Sequence, residues 1–347
     1  MNAITSFLYD VLAWINGIVG NYGVAIIVFT FLMRMVCMPF DYRSRKGMRK
    51  MQLMQPKLDA LQKKYGNDKQ KFQQKQAELM RKEHYNPLSG CLPMLLTWPL
   101  MIAMFTAMRS IANERLVVQC FRYLLGDASP VLNTERFLWI KNVWVVDSPF
   151  NAFVPDANSL QFIPKDVWQQ VYSAFSETDL AAIAQSLTVV PGAVLDFSSD
   201  AAMKTSVAAI VEALQHVESY TAACQWVPGW KNMNLLLFSV TLYKDWNGLL
   251  ILPVLAGVTQ ILQTKLNPAE QQNTAANNDK QNSTAKFMKW FFPILSVYFC
   301  LTSNAGFAIY WVASNVVTGA QSIVITKMLE HKDKKEEAKK LAQEGTK

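Results

Sequence analysis

Charge is what this chain has least of. Asp, Glu, Lys and Arg make up 17% of its 347 residues, against about 25% in an ordinary soluble domain. That deficit argues against a cytosolic protein. Histidine is scarce too: His84, His216 and His331 are the three in the chain, and none has a partner at metal-ligand or catalytic-triad spacing. The five cysteines form no CxxC pair, and neither a P-loop nor a glycine-rich nucleotide fingerprint is present. No enzyme, metal site or cofactor is therefore expected. The internal repeats typical of secondary transporters are missing as well. A disordered, collagen-like or disulfide-framework chain is excluded by a hydrophobic content of 51% with 14 glycines and five cysteines.

The charges that exist are bunched, and mean hydropathy is only +0.09. None occurs in Val11–Met33 (23 residues), His84–Met108 (25), Trp246–Thr264 (19) or Trp290–Thr326 (37). A membrane-spanning helix needs about 20 apolar residues, so the first three windows hold one span each. The fourth holds two, separated by a turn at Thr302-Ser303-Asn304. The expected fold class is an all-α integral membrane protein with five transmembrane helices, at about 22–40, 92–110, 247–265, 287–302 and 306–326. The window Leu180–Leu195 is short and broken by Pro191-Gly192, which reads as soluble structure.

Residues 1–20 lack a basic n-region, a small-residue cleavage site and a cysteine for lipidation. Phe7, Leu8, Val11, Leu12, Ile15 and Ile18 recur at steps of three and four, which predicts an N-terminal amphipathic interfacial helix over 3–19. The alternative is a plain extension of the first span.

Orientation follows from charge. Residues 41–90 hold 13 basic and 5 acidic residues, 112–245 hold 8 and 13, 266–286 hold 2 and 2, and the tail 327–347 holds 7 and 5. Basic flanks favour the cytoplasmic side, so 41–90, 266–286 and the tail are expected inside, with the N-terminus and 112–246 outside. The basic segments read either as ordinary solvated positive-inside charge or as contacts for anionic lipid or ribosomal RNA. Within 41–90, Met48, Met51, Met54, Leu58 and Leu61 form an apolar stripe, Tyr65-Gly66-Asn67 interrupts it, and a second helix capped by Asn67 runs to Asn86-Pro87. This predicts a cytoplasmic helical hairpin. Its methionines serve either as the seam between its helices or as an adaptable apolar surface for clients.

Arg34 is the one charge inside a span core. Counted from Tyr22 at 1.5 Å per residue it lies about 18 Å along the helix, in the cytoplasmic half. An arginine at a span centre costs about 2.5–3.5 kcal/mol even on the lenient insertion scale. Two readings follow. The side chain snorkels to the inner interface, or it joins Thr30, Thr97, Gln260, Gln263, Ser314, Asn315 and Gln321 in lining a hydrated, positively charged groove. No carboxylate falls within a span, which weakens an ion-coupled transporter. A polar-solute channel or transporter nevertheless stays as the alternative reading of the same residues.

Asn21-Tyr22-Gly23, Arg34, Pro39, Met48–Leu58, the run Asn86-Pro87-Leu88-Ser89-Gly90-Cys91-Leu92-Pro93, Pro99, Leu252-Pro253, Gly257-Val258-Thr259, Tyr310-Trp311 and Ser314-Asn315 stand in this order. Together they resemble the YidC/Oxa/Alb membrane protein insertases over about 21–111 and 248–327. The resemblance implies a five-helix bundle around a hydrophilic groove. It also implies a chaperone-like insertase that works without nucleotide hydrolysis on nascent membrane proteins, with the lipid bilayer, the ribosome and the Sec translocon as partners. Arg34 then matches the groove arginine, Thr30 and Trp311 match client-contacting positions, and Tyr310 stands beside Trp311. With no transit peptide before the amphipathic helix and no large N-terminal domain, a bacterial plasma membrane is expected.

Two departures from the family pattern stand out. Thr97 occupies a position where relatives often carry glutamine. Residues 112–246 replace a short outer loop, with an insertion at about 150–240 that a capping pattern at Ser176–Asp179 and a periodic stretch over 200–223 predict to be a helical extracytoplasmic domain. Cys120 and Cys224 are the two cysteines expected outside. They form either a disulfide, which an oxidising exterior permits, or two free thiols.

Overall fold

The computed structural model describes residues 3–83, 85, 88–127, 133, 135–235, 238–266 and 279–344. It is mostly helical, as an all-α membrane protein requires. Two of its helices are long and apolar enough to cross a membrane by length and composition, beginning at Tyr22 and Ala305. Contacts divide the chain into two units. One comprises residues 1–29, 103–257 and 295–312, the other 30–102, 258–294 and 313–347.

Helix α1 (Ala3–Val19) matches the predicted amphipathic helix, and Gly20 ends it with φ of +72°. Only glycine adopts that left-handed turn without penalty. The predicted apolar stripe is split between two faces. Leu8, Leu12 and Ile15 are buried in the first unit, whereas Phe7, Trp14 and Ile18 are exposed.

Helix α2 (Tyr22–Tyr65) continues without a break from the first expected span through the first arm of the hairpin, with Pro39 and Pro56 inside it. At 1.5 Å per residue its 44 residues make a rod of about 66 Å. Helix α3 (Lys69–Lys82) is the second arm. Its cap is Asp68, not Asn67: the Asp68 carboxylate accepts from the Lys71 N–H at 3.0 Å. A carboxylate there satisfies an orphan amide and also complements the positive end of the helix dipole. Lys57 Nζ lies 2.5 Å from Glu83 Oε1, closing the hairpin at its far end. Met54 and Leu58 are buried and Met48 and Met51 half-buried, whereas α3 buries none of its residues.

Helix α4 (Leu88–Leu124) runs 14 residues beyond the expected span end at 110. Its last turns are the post on which the insertion is built. Val117, Cys120 and Phe121 are fully buried, and Phe121 meets Trp168 and Phe175 edge-on at 5.9 and 5.5 Å. Trp168 stacks on Phe197 at 5.7 Å. The insertion supplies α5 (Ala157–Leu160), α6 (Lys165–Ser173), α7 (Glu177–Ser186), α8 (Asp200–Leu214) and α9 (Glu218–Ala223). Ser176 caps α7 as predicted, accepting from the Asp179 N–H.

The insertion is not wholly helical. Met233–Leu235 (β1) pairs antiparallel with Phe238–Val240 (β2), with Asn234 opposite Ser239. Helix α10 (Ile251–Leu266) corresponds to the third expected span, α11 (Asp279–Thr302) contains the fourth, and α12 (Ala305–Glu344) carries the fifth on into the tail as one helix. Most of the expected loop 266–286 lies outside the described residues. The predicted turn stands where expected, between Thr302 and Ala305.

Candidate functional site

The second unit brings a row of polar residues on α2 against one on α12. Arg34, Asp41 and Arg45 recur at steps of 7 and 4, which keeps them on one face of α2, with Ser44 at its edge. Ser314, Thr318 and Ser322 do the same on α12 at steps of 4, with Gln321 at the edge. The Arg34 guanidinium donates to Ser314 Oγ, through Nε at 3.0 Å and through NH2. Gln321 Nε2 donates to the Arg34 carbonyl at 2.9 Å. One level further along, Arg45 NH1 donates to Ser322 Oγ at 2.6 Å, and Ser322 passes its own proton to the Leu266 carbonyl of α10 at 2.7 Å. At the far end Arg49 binds Asp333 at 2.6 Å and lies 3.8 Å from Glu330. The side chains ascend both helices in the same sense, so α2 and α12 run parallel along this seam.

Burial makes the seam unusual. Thr30, Ser44, Arg45, Ser314, Asn315, Gln321 and Ser322 are all under one-tenth exposed. Asp41 Oδ2, Ser44 Oγ, Thr318 Oγ1 and Gln321 Oε1 are buried without a hydrogen-bond partner among the described residues. Each such atom costs about 1–3 kcal/mol if left dry. Four on facing rows are the pattern that internal water satisfies in folded proteins.

Of the expected groove residues, Arg34, Ser314 and Gln321 meet directly. Asn315 Nδ2 donates to Thr259 Oγ1 of α10 at 3.2 Å. Gln260 and Gln263 are half-buried on the same helix, where the Gln260 carbonyl accepts from Thr264 at 2.9 Å. Thr30 is fully buried one turn before Arg34. The Thr97 side chain lies outside the described residues. Tyr310 and Trp311 belong to the first unit, where Trp311 packs on Phe307 at 5.5 Å and Phe299 at 6.4 Å, and Tyr310 lies 6.1 Å from Phe307.

Sequence reasoning missed Asp41 and Arg45. Both look like part of the ordinary positive-inside flank. The available signal was periodicity: 34, 41 and 45 fall on one helical face, opposite 314, 321 and 322. Burial pushes the Asp41 carboxyl up from its ordinary value, against the opposing pull of Arg34 and Arg45.

The first unit holds a second polar cluster, at and beyond the ends of the expected spans. Gln119 Nε2 donates to Glu135 Oε2. Asn142 Nδ2 donates to Gln119 Oε1 at 2.8 Å and to the Phe153 carbonyl at 2.8 Å. Asn247 accepts from the Asn142 N–H at 2.8 Å and returns a bond to its carbonyl at 2.9 Å. Asp147 caps the start of α10, accepting from the Leu249 and Leu252 amides at 2.8 and 2.7 Å. Burial pushes the Glu135 carboxyl up to about 8, against the opposing pull of Arg115 and the Gln119 amide. Cys120 and Cys224 are free thiols here, with Cys120 fully buried, so the bridged alternative is not the arrangement found. Among the described residues no group of three or more His, Cys, Asp or Glu is placed to hold a metal.

A mostly helical chain with membrane-length helices and a buried arginine on their polar seam belongs to the class of polytopic helical membrane proteins. Comparison with known proteins narrows this. Residues 14–191 and 202–334 match the family described as "60Kd inner membrane protein", and the chain belongs to that family, which contains the YidC insertases. The membrane protein insertase YidC of Chlorobaculum parvum is 26% identical over 329 residues, covering 95% of this chain and 37% of that protein. The YidC of Pelodictyon phaeoclathratiforme is 37% identical over 144 residues, 42% of this chain and 22% of its own length. That of Aromatoleum aromaticum is 44% identical over 105 residues, 30% of this chain and 19% of its own. The chain thus spans well under half the length of these relatives.

Proposed function

We propose that this protein is a membrane protein insertase and chaperone of the bacterial plasma membrane, working through a hydrated, positively charged groove along the α2–α12 seam. The observation that carries the reading is Arg34 held among buried polar side chains, four of which keep an unpartnered atom for water. In this reading five helices cross the bilayer, with the N-terminus and residues 112–246 outside and the tail in the cytoplasm. The exposed Phe7, Trp14 and Ile18 of α1 rest on the outer membrane interface.

The mechanism is electrostatic and hydrophobic. A polar or acidic segment of a nascent client entering hydrocarbon must leave its hydrogen bonds unsatisfied, at several kcal/mol per group. In the groove it meets water and the Arg34 guanidinium. Ser314, which accepts from two guanidinium nitrogens, and Gln321, which holds the Arg34 backbone, keep the charge from snorkelling away. The client's apolar span then moves into lipid past Thr30, Tyr310 and Trp311, with Thr97, Gln260, Gln263 and Asn315 completing the polar wall. Each mid-membrane Leu, Ile, Phe or Val contributes about 0.3–0.6 kcal/mol, so a 20-residue span supplies the driving force without nucleotide hydrolysis. The basic hairpin 41–90 and the tail offer cationic surfaces for the ribosome, and the Sec translocon is the expected membrane partner.

Photo-crosslinkers at Thr30 and Trp311, with ribosome-tethered nascent spans in proteoliposomes, test this. Crosslinks from both positions are expected, and Arg34→Ala should lower insertion of clients with acidic translocated segments about tenfold, one charge-assisted contact, while Arg34→Lys retains most of it. No crosslinks together with solute flux through the protein would replace the insertase by a channel.

A further inference from the structure

Between the outer turns of α4 and the α11–α12 connection lies a cavity of about 290 Å³. One wall is apolar, with Phe105 and Phe307 edge-on at 5.2 Å. The rim carries Arg109, one turn beyond Phe105 on α4, with Asn113, Ser303 and Asn304, and no carboxylate lines this cavity. Among the described residues Arg109, Asn113 and Ser303 have no side-chain hydrogen-bond partner, and Asn304 uses only its oxygen, accepting from the Phe307 N–H at 2.9 Å. A guanidinium and three further donors thus converge on one space beside an apolar surface. A second cavity of about 130 Å³ adjoins it, sharing Leu116, Trp144, Ser159 and Asn304.

We propose that this cavity binds the phosphodiester headgroup of a membrane phospholipid, with its acyl chains along Phe105 and Phe307. An anion is indicated because all the unpartnered rim groups can donate and a phosphate takes several charge-assisted bonds at once. A free phosphate would leave the aromatic wall uncovered, whereas a lipid covers both halves. The inference rests on the proposed span layout, in which the Thr302–Ala305 turn lies at the outer membrane interface, where headgroups sit.

Native mass spectrometry of the full-length protein with phosphatidylglycerol tests it. One tightly held lipid adduct is expected, with affinity falling about tenfold in Arg109→Ala and less in Ser303→Ala, while Arg109→Lys retains most of it. Equal adducts in native protein and Arg109→Ala would overturn the proposal, and so would displacement by millimolar inorganic phosphate or by an acidic peptide. Labelling of Ser303→Cys by an impermeant maleimide in intact cells checks the layout separately. Failure there with the adduct intact would move the site to the inner leaflet and overturn the outer-interface assignment alone.

Discussion

Replacing Glu135 by glutamine should remove a pH dependence built into the base of the inserted domain. Glu135 is fully buried, and its carboxyl is raised from 4.5 to about 8, chiefly by desolvation. The unfolded carboxyl ionises near 4.5 while the native one keeps its proton until about 8, so between these values the unfolded state holds fewer protons. Stability is then fully present below pH 4.5 and falls as pH rises through this window. The difference of about 3.5 units corresponds to at most about 5 kcal/mol across the window, at 1.36 kcal/mol per unit. The Val143 N–H, which donates to the Glu135 carbonyl at 3.0 Å, reports the event locally. Its hydrogen exchange, corrected for the intrinsic pH dependence, should show protection falling between pH 5 and 8 in the native protein. In Glu135→Gln, where the amide oxygen can still accept from Gln119, protection should be flat and exceed the native value at pH 8. Equal slopes in the two proteins would refute the reasoning.

Asp147→Ala removes both acceptors at the head of α10 and leaves the Leu249 and Leu252 amides unpaired. It should cost about 2–4 kcal/mol, measured as a lower chemical-denaturation midpoint and as exchange at those two amides. Gly23→Ala places a methyl group against the Phe137 ring, with Phe137 Cβ at 2.6 Å. A shift of Phe137 costing about 1–3 kcal/mol is expected, read as a lower thermal midpoint in detergent, with Gly17→Ala, which meets nothing, as the silent control.

The windows without charge announced the helices because hydrocarbon imposes a length and a polarity that one-dimensional sequence displays directly. Arg34 was legible for the same reason, as the charge that closes a window while still inside the expected span. Arg45 was not, because it stands among other basic residues, and only its bond to Ser322, 277 positions away, separates it from them. The first-unit cluster was hidden likewise. Glu135, Asn142, Asp147 and Asn247 read as surface loop residues, and burial follows only when segments about 100 residues apart pair. Helix ends were not legible where helices outran the apolar stretch: α4 continues to Leu124, where packing of the insertion covers its last turns. The small hairpin at 233–240 is too short for a periodic signal against the helical pattern around it.

The seam has a mechanical consequence. Arg34, Arg45 and Arg49 fasten α2 to α12 at three levels spread over about 22 Å of rod, the middle one buried and also anchored to α10. Prising the rods apart breaks all three fastenings, at roughly 1–3 kcal/mol for each guanidinium–serine bond and at most about 1 kcal/mol for the exposed Arg49–Asp333 pair, whereas swinging one guanidinium away from Ser314 breaks a single one. The pair therefore behaves as a fixed keel with one movable cleat, since the Arg34 guanidinium can swing without parting the helices.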